Sequence, residues 1–293
     1  MIIKVLVQKK FLIPFGSFLF FLGLILNAPL EKSLNQLISK SIPKRCLSSA
    51  PEVNLGFFPL PSVSTNKDFI LESKCSSLNT NLKVSNLRLS NRGFSFSPIG
   101  IKLNGELSLD DFKPIALSLS VGIDEIKIIL NNSTISTLLI NKLMGEKIEA
   151  EGDLEIDLIA HLLKKRFKEL EVSITSKNLK LPAQMISGFN IPAMKLSPLL
   201  LSGKKKKGNE LEIVSISIGK KDQGINIMGK GSISNLDNIN SSNIDLMASM
   251  QLGDEVKREF SFINLLLGDP NESGEYNFKV SGKLTAPRVK SLN

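Results

Sequence analysis

Residues 148–158 read Ile148-Glu-Ala-Glu-Gly-Asp-Leu-Glu-Ile-Asp-Leu158. Ile148, Ala150, Gly152, Leu154, Ile156 and Leu158 alternate strictly with Glu149, Glu151, Asp153, Glu155 and Asp157. A period of two is that of a β-strand, whose successive side chains point to opposite faces. The stretch therefore reads as a strand with one apolar face and one face in water.

The same period recurs on both sides. Upstream, Ile101, Leu103, Gly105, Leu107 and Leu109 alternate with Lys102, Asn104, Glu106 and Ser108, and Ile115, Leu117, Leu119 and Val121 follow the same rule. Downstream come Leu170, Val172 and Ile174, then Ile225, Ile227, Gly229, Gly231 and Ile233. Ile244, Leu246, Ala248, Met250 and Leu252 follow, then Tyr276, Phe278, Val280, Gly282 and Leu284. Near Leu82–Leu89 and Leu211–Ile218 the phase slips by one residue, as a β-bulge requires. With Ile123–Leu130 included, about ten strands are expected.

Helical spacing is scarce. Thr134–Met144 carries Ile135, Leu138, Leu139 and Leu143 on one face, with Ser133 or Thr134 available as N-cap and Gly145 beyond the last turn. Ala160–Leu170 is a weaker helical candidate, interrupted by Lys164, Lys165 and Arg166. Two short helices do not cover ten strands, which excludes a layered α/β fold.

A magnitude narrows the architecture. Ten strands about 4.8 Å apart and about 8 residues long give a sheet face of roughly 1,200 Å². Soluble proteins rarely expose contiguous apolar patches above a few hundred Å². The expected fold is therefore mainly β: a large, curved, mostly antiparallel sheet, as a folded half-pipe or incomplete barrel, with one or two short helices. Ile101, Leu103, Leu154, Ile156, Ile227, Leu246 and Phe278 are the expected lining of its core or of an apolar groove.

Before the strands lies FLIPFGSFLFFLGLILNAPL, Phe11–Leu30, without a single charge. As a helix it spans about 30 Å, the thickness of a bilayer's hydrocarbon core. Lys4, Lys9 and Lys10 precede it, so residues 1–10 are expected on the cytoplasmic side and residues 31–293 across the membrane. A cleaved signal peptide would have a shorter apolar run and an A-x-A-like site, whereas this run ends Asn27-Ala28-Pro29. Residues 11–30 are thus expected to be a transmembrane anchor, residues 31–61 a juxtamembrane helix and proline-rich stalk, and residues 62–293 the β domain.

The formal charge is +9, or +6 with the three N-terminal lysines set aside, and it is spread along the chain. That pattern suits a surface beside anionic lipid and does not point to nucleic acid. Cys46 and Cys75 are the two cysteines. In an oxidising compartment a bridge between them would close a loop of about 30 residues, worth roughly 3–4 kcal/mol in the chain-entropy model; two unpaired thiols are the alternative.

Chemistry is sparse. His161 is the single histidine and has no G-x-S-x-G near it, so it reads as an ordinary surface or boundary histidine. No phosphate-binding glycine motif is present, and the cysteines lack C-x-x-C spacing. The carboxylate row 149–157 reads as a solvated face paired with lysines, and Lys204–Lys207 as an exposed loop. The expectation is a non-enzyme: no catalytic residues, no metal and no cofactor.

The order of segments resembles one family. GELSL (Gly105–Leu109), EGDLEIDL (Glu151–Leu158) and LEVSITSKNLKLP (Leu170–Pro182) are followed by GKGSISNL (Gly229–Leu236) and YNFKVSGKLTAPRV (Tyr276–Val289). Together with the basic N-terminus and anchor, this looks like the type II secretion system protein N family. The resemblance covers nearly the whole chain, most specifically through Gly282, Leu284, Pro287 and Arg288. It implies a single-pass bacterial inner-membrane protein with a periplasmic β domain, an accessory of the type II secretion system. Its partners would be the secretin or inner-membrane platform proteins. AsmA-like envelope proteins, which carry lipid along an apolar trough, have the same pattern and supply the alternative function.

Overall fold

The computed structural model describes residues 53–56, 62–65 and 68–72, and residues 81–292 except 111, 145–148, 165, 187–188, 207, 221–223, 237–240 and 260–262. The expected anchor at 11–30 and both Cys46 and Cys75 lie outside the described residues. No described helix is long and apolar enough to cross a membrane.

The chain is mainly β. Its first strands are β1 (Val53–Gly56), β2 (Ser62–Thr65), β3 (Phe69–Leu71), β4 (Leu82–Phe96) and β5 (Ile99–Leu109). Next come β6 (Ile115–Gly122), β7 (Glu125–Ser136), β8 (Asp153–Leu163) and β9 (Arg166–Ser176). Four short strands follow: β10 (Lys180–Leu181), β11 (Gln184–Ile186), β12 (Phe189–Ile191) and β13 (Met194–Lys195). The chain then resumes with β14 (Leu199–Lys205), β15 (Glu210–Gly219), β16 (Ile225–Ser234), β17 (Asn243–Leu252), β18 (Glu275–Lys283) and β19 (Ala286–Ser291).

One antiparallel sheet takes up fifteen of these strands, in the order β1-β2-β4-β5-β6-β7-β8-β9-β14-β15-β16-β17-β18-β19, with β3 also paired to β4. The sheet is open: β1 and β19 are the ends of that order, and nothing joins them. It starts at Val53, upstream of residue 62, because β1 pairs with β2 in spite of the neighbouring prolines.

The alternating segments supply the long strands, and both phase slips are bulges. On β4 the register to β5 shifts between Val84 and Asn86. On β15 it shifts between Ile213 and Ile216. An extra residue at each place keeps the flanking apolar side chains on one face.

Two sequence expectations are corrected. Residues 160–170 are not helical: Leu163 pairs with Arg166 across a two-residue turn, and Lys164 takes a positive φ of 47°. Ala160 and Leu162 simply continue the alternation of β8, and Arg166 opens β9. The helix expected at Thr134 begins instead at Thr137, because β7 stays paired to β8 through Ser136. Ser136 Oγ accepts from the Leu138 N–H at 3.3 Å and so serves as cap.

Because neighbours are antiparallel, connections alternate between the two ends of the sheet. At one end stand the helix Thr137–Met144, the short strands β10–β13 and the helices Asp254–Glu259 and Ile263–Leu267. At the other stand tight turns between β4 and β5, β6 and β7, and β8 and β9.

Candidate functional site

The strand register brings one set of apolar side chains onto one face. Starting from β8, Ile156 faces Ile174, and Leu158 faces Leu130 and Val172. Ile174 faces Leu201, which faces Ile216. Ile218 faces Ile227, which faces Met250. Ala248 faces Phe278, and Leu246 faces Val280. In the other direction, Ile128 faces Leu119, which faces Leu103, and Ile126 faces Val121, which faces Ile101. Leu103, Leu154, Ile156, Ile227, Leu246, Phe278 and Ile101 therefore share a single surface that crosses the whole sheet.

Burial along that surface is graded. At the helical end it is closed by two clusters. Phe69, Val84, Leu109, Ile115 and Leu139 form one, under the helix Thr137–Met144. Ile225, Met250, Leu252, Val256, Leu267 and Tyr276 form the other, under the two C-terminal helices. Away from these clusters Leu103, Leu154 and Ile156 are only half-buried; Ile227 and Phe278, also half-buried, pack against the second cluster, and Leu246 is buried. Ile101 is 49% exposed, so it is not a core residue. Its position near the turn between β4 and β5 puts it beyond the reach of either cluster.

The opposite face carries the charges. Lys204 Nζ meets Glu171 at 2.5 Å, Lys206 meets Glu212 at 2.8 Å, and Lys279 meets Asp245 at 2.9 Å. Hydrogen bonding to Glu171 raises the pKa of the Lys204 ammonium, and the contact with Glu212 does the same at Lys206. Lys204 and Lys205 are strand residues of β14, so the expected loop is confined to the residues after Lys205. In the acidic row, Glu151 pairs with Lys180 at 2.7 Å. Asp157 instead accepts the Asn132 N–H at 2.7 Å, and Glu155 the Thr175 hydroxyl at 3.4 Å. One lysine and two neutral donors, rather than lysines throughout, meet these three carboxylates.

His161 is a second correction on this face, since it is buried and not superficial. Its Nε2 lies 2.8 Å from Glu125 Oε2, with Lys168 Nζ 3.8 Å from the other oxygen. The partner glutamate follows from the pairing of β7 with β8: His161 pairs with Lys127 in register, which brings Glu125 alongside.

Sequence reading missed the most exposed apolar residues, Phe94, Phe96, Ile99 and Ile123, at 84%, 90%, 84% and 101% exposure. Phe94 faces Ile101 and Phe96 faces Ile99 in register. Their signal was the short alternation Phe94-Ser95-Phe96 before Ser97-Pro98.

What the arrangement offers is a wide apolar surface, closed at one end, open at the other and backed by an ion-paired polar face. Among the described residues, no group of three His, Cys, Asp or Glu side chains is placed to hold a metal ion. No protein-family model matches the chain, and neither a curated protein nor a solved structure matches it.

Proposed function

We propose that this protein is a lipid-binding or lipid-transfer protein of the bacterial envelope, of the AsmA-like kind, with its sheet curled into a half-pipe around acyl chains. The observation that carries this reading is the continuous, half-buried apolar face. Fourteen strands about 4.8 Å apart make a surface roughly 60 Å across. An acyl chain, half of a hydrocarbon core about 30 Å thick, is about 15 Å long and needs only three or four of those strands. A sheet stabilised only by its own core would cover this face throughout, whereas here the helices cover one end.

The reading as an accessory of the type II secretion system, docking by strand addition, has less support. Strand addition uses an exposed sheet edge. The β19 edge is six residues long and carries Pro287, Arg288 and Lys290, and the β1 edge is four residues long. Short strands, proline and cations at an edge disfavour pairing with another chain. The secretion reading therefore rests on segment order alone.

Site-specific photocrosslinking in cells tests the proposal. A photoreactive residue at Ile156 or Ile227 is expected to capture phospholipid, and one at Val214, exposed on the other face, is expected not to. Protein adducts in place of lipid at Ile156 and Ile227, with loss of exported enzymes from the medium in a deletion strain, would overturn it in favour of the secretion component.

A further inference from the structure

The turn between β4 and β5 is Arg92-Gly-Phe-Ser-Phe-Ser-Pro-Ile-Gly-Ile-Lys102. Its four large apolar residues stand on the same face as the apolar surface described above, and three of them are more than four-fifths exposed. Arg92 and Lys102, both exposed, bracket them, with Gly93 directly opposite Lys102 in register. Ile123, fully exposed on the adjacent β6–β7 turn, extends the apolar tip.

We infer that this hairpin is a membrane-contact finger, whose tip enters the surface of an anionic phospholipid bilayer while Arg92 and Lys102 meet the phosphates. The inference rests on the residues of the hairpin itself and holds whether or not the sheet carries lipid.

Charge selects the bilayer over a protein partner. Lys164 and Arg166, exposed on the neighbouring β8–β9 turn, add two cations to the same rim. The carboxylates close by are largely engaged: Glu125 by His161 and Lys168, and Glu169 by Lys127 at 3.4 Å. Asp124 is the exposed exception. Aromatic and aliphatic tips ringed by cations match an interface that is apolar below and anionic above.

Length fits as well. From the Gly93–Lys102 level to Ser97 the strand rises about 13 Å. One headgroup layer is about 5–8 Å thick. With the cations at the phosphates, the paired Phe96 and Ile99, about 10 Å further along, therefore reach the acyl boundary. Among the described residues none pairs with the outer edge of residues 91–96 of β4, and the backbone groups there need water or headgroups. The finger therefore enters the interface and does not span the membrane. It is also held firmly: a Cβ on Gly100 would lie 1.9 Å from the Val121 carbonyl oxygen, so the hairpin backbone is packed directly on β6.

The chain has no tryptophan, which makes the test direct. The full chain carrying Phe96→Trp is reconstituted into vesicles of phosphatidylglycerol and phosphatidylcholine containing lipids nitroxide-labelled near the headgroup. Expected are blue-shifted emission and quenching at least about twofold stronger than for Met185→Trp, a site 70% exposed at the opposite end. Adding Arg92→Glu and Lys102→Glu to the Phe96→Trp chain is expected to cut that quenching at least twofold. Water-like emission for Phe96→Trp, or quenching no greater than for Met185→Trp, overturns the inference. So does a blue shift that depends on protein concentration and not on labelled lipid, which would assign the finger to a second copy of this chain.

Discussion

The Tyr276 hydroxyl donates to Asn264 Oδ1 at 2.8 Å, tying the helix Ile263–Leu267 to strand β18. Tyr276 is 3% exposed and belongs to the cluster that closes the apolar face at its C-terminal side. Burial, and then the nearby Asp269 carboxylate, raise its phenol pKa above the usual 10.0. The folded protein holds this proton more tightly than the unfolded chain does. Its contribution to stability is complete below pH 10.0 and is lost as pH rises through the folded value.

Because Tyr276 is the single tyrosine, an alkaline absorbance titration reads it alone. The folded chain is expected to ionise at higher pH than the chain in denaturant. Tyr276→Phe should cost about 1 kcal/mol at neutral pH through the lost hydrogen bond, and should flatten the fall in stability above pH 10.0. Identical titration curves with and without denaturant would contradict the burial.

Leu154 and Glu155 are neighbours on opposite faces of β8. Leu154→Asp puts a charge on the apolar surface beside Ile135 and is expected to cost roughly 2–4 kcal/mol in chemical denaturation. Glu155→Gln, on the exposed face, should stay within about 0.5 kcal/mol. Equal effects would mean that the face assignment is wrong.

Truncating His161 leaves Glu125 with only the longer Lys168 contact. His161→Ala is expected to destabilise the chain by about 1–3 kcal/mol, and His161→Gln, which keeps a donor, by less. Thermal unfolding of the two variants side by side checks the order.

Gly231 of β16 faces Leu246 of β17 in register. A Cβ there would sit 2.1 Å from the Asp245 carbonyl oxygen and 2.7 Å from Leu246 Cα. Both contacts are with backbone, so Gly231→Ala has to part the strands. A loss of about 1–3 kcal/mol is expected in equilibrium denaturation.

The fold was legible where one physical signal dominated. Alternation gave the long strands, and the phase slips beside Val84 and Ile213 marked the bulges, because a one-residue insertion is the only way to keep Leu87 and Ile216 on the apolar face. The strands β10–β13 are two or three residues long, too short for a period to register. The helix Asp254–Glu259 was missed although Asp254 and Glu255 open it and Lys257 and Arg258 close it, because six residues hold only one buried apolar position, Val256. The buried His161–Glu125 contact was invisible, since it depends on the register in which β8 pairs with β7. The apolar surface could be read from residue parity. Its exposure at Phe94 and Ile123 could not, because coverage is decided by helices far away in sequence.

The strand order of the sheet follows chain order, interrupted only by the excursion through β10–β13 and by β3, which shares an edge of β4 with β2. Each long strand can therefore pair with the one made just before it, and no strand waits for a distant partner to appear. As in repeat proteins, each long strand then pairs mainly with its neighbours in the chain. Most neighbours are joined by short turns, which keeps the entropy of those closures small. The same order allows such a sheet to gain or lose a hairpin in the course of evolution without rearranging the rest, so its width is free to change.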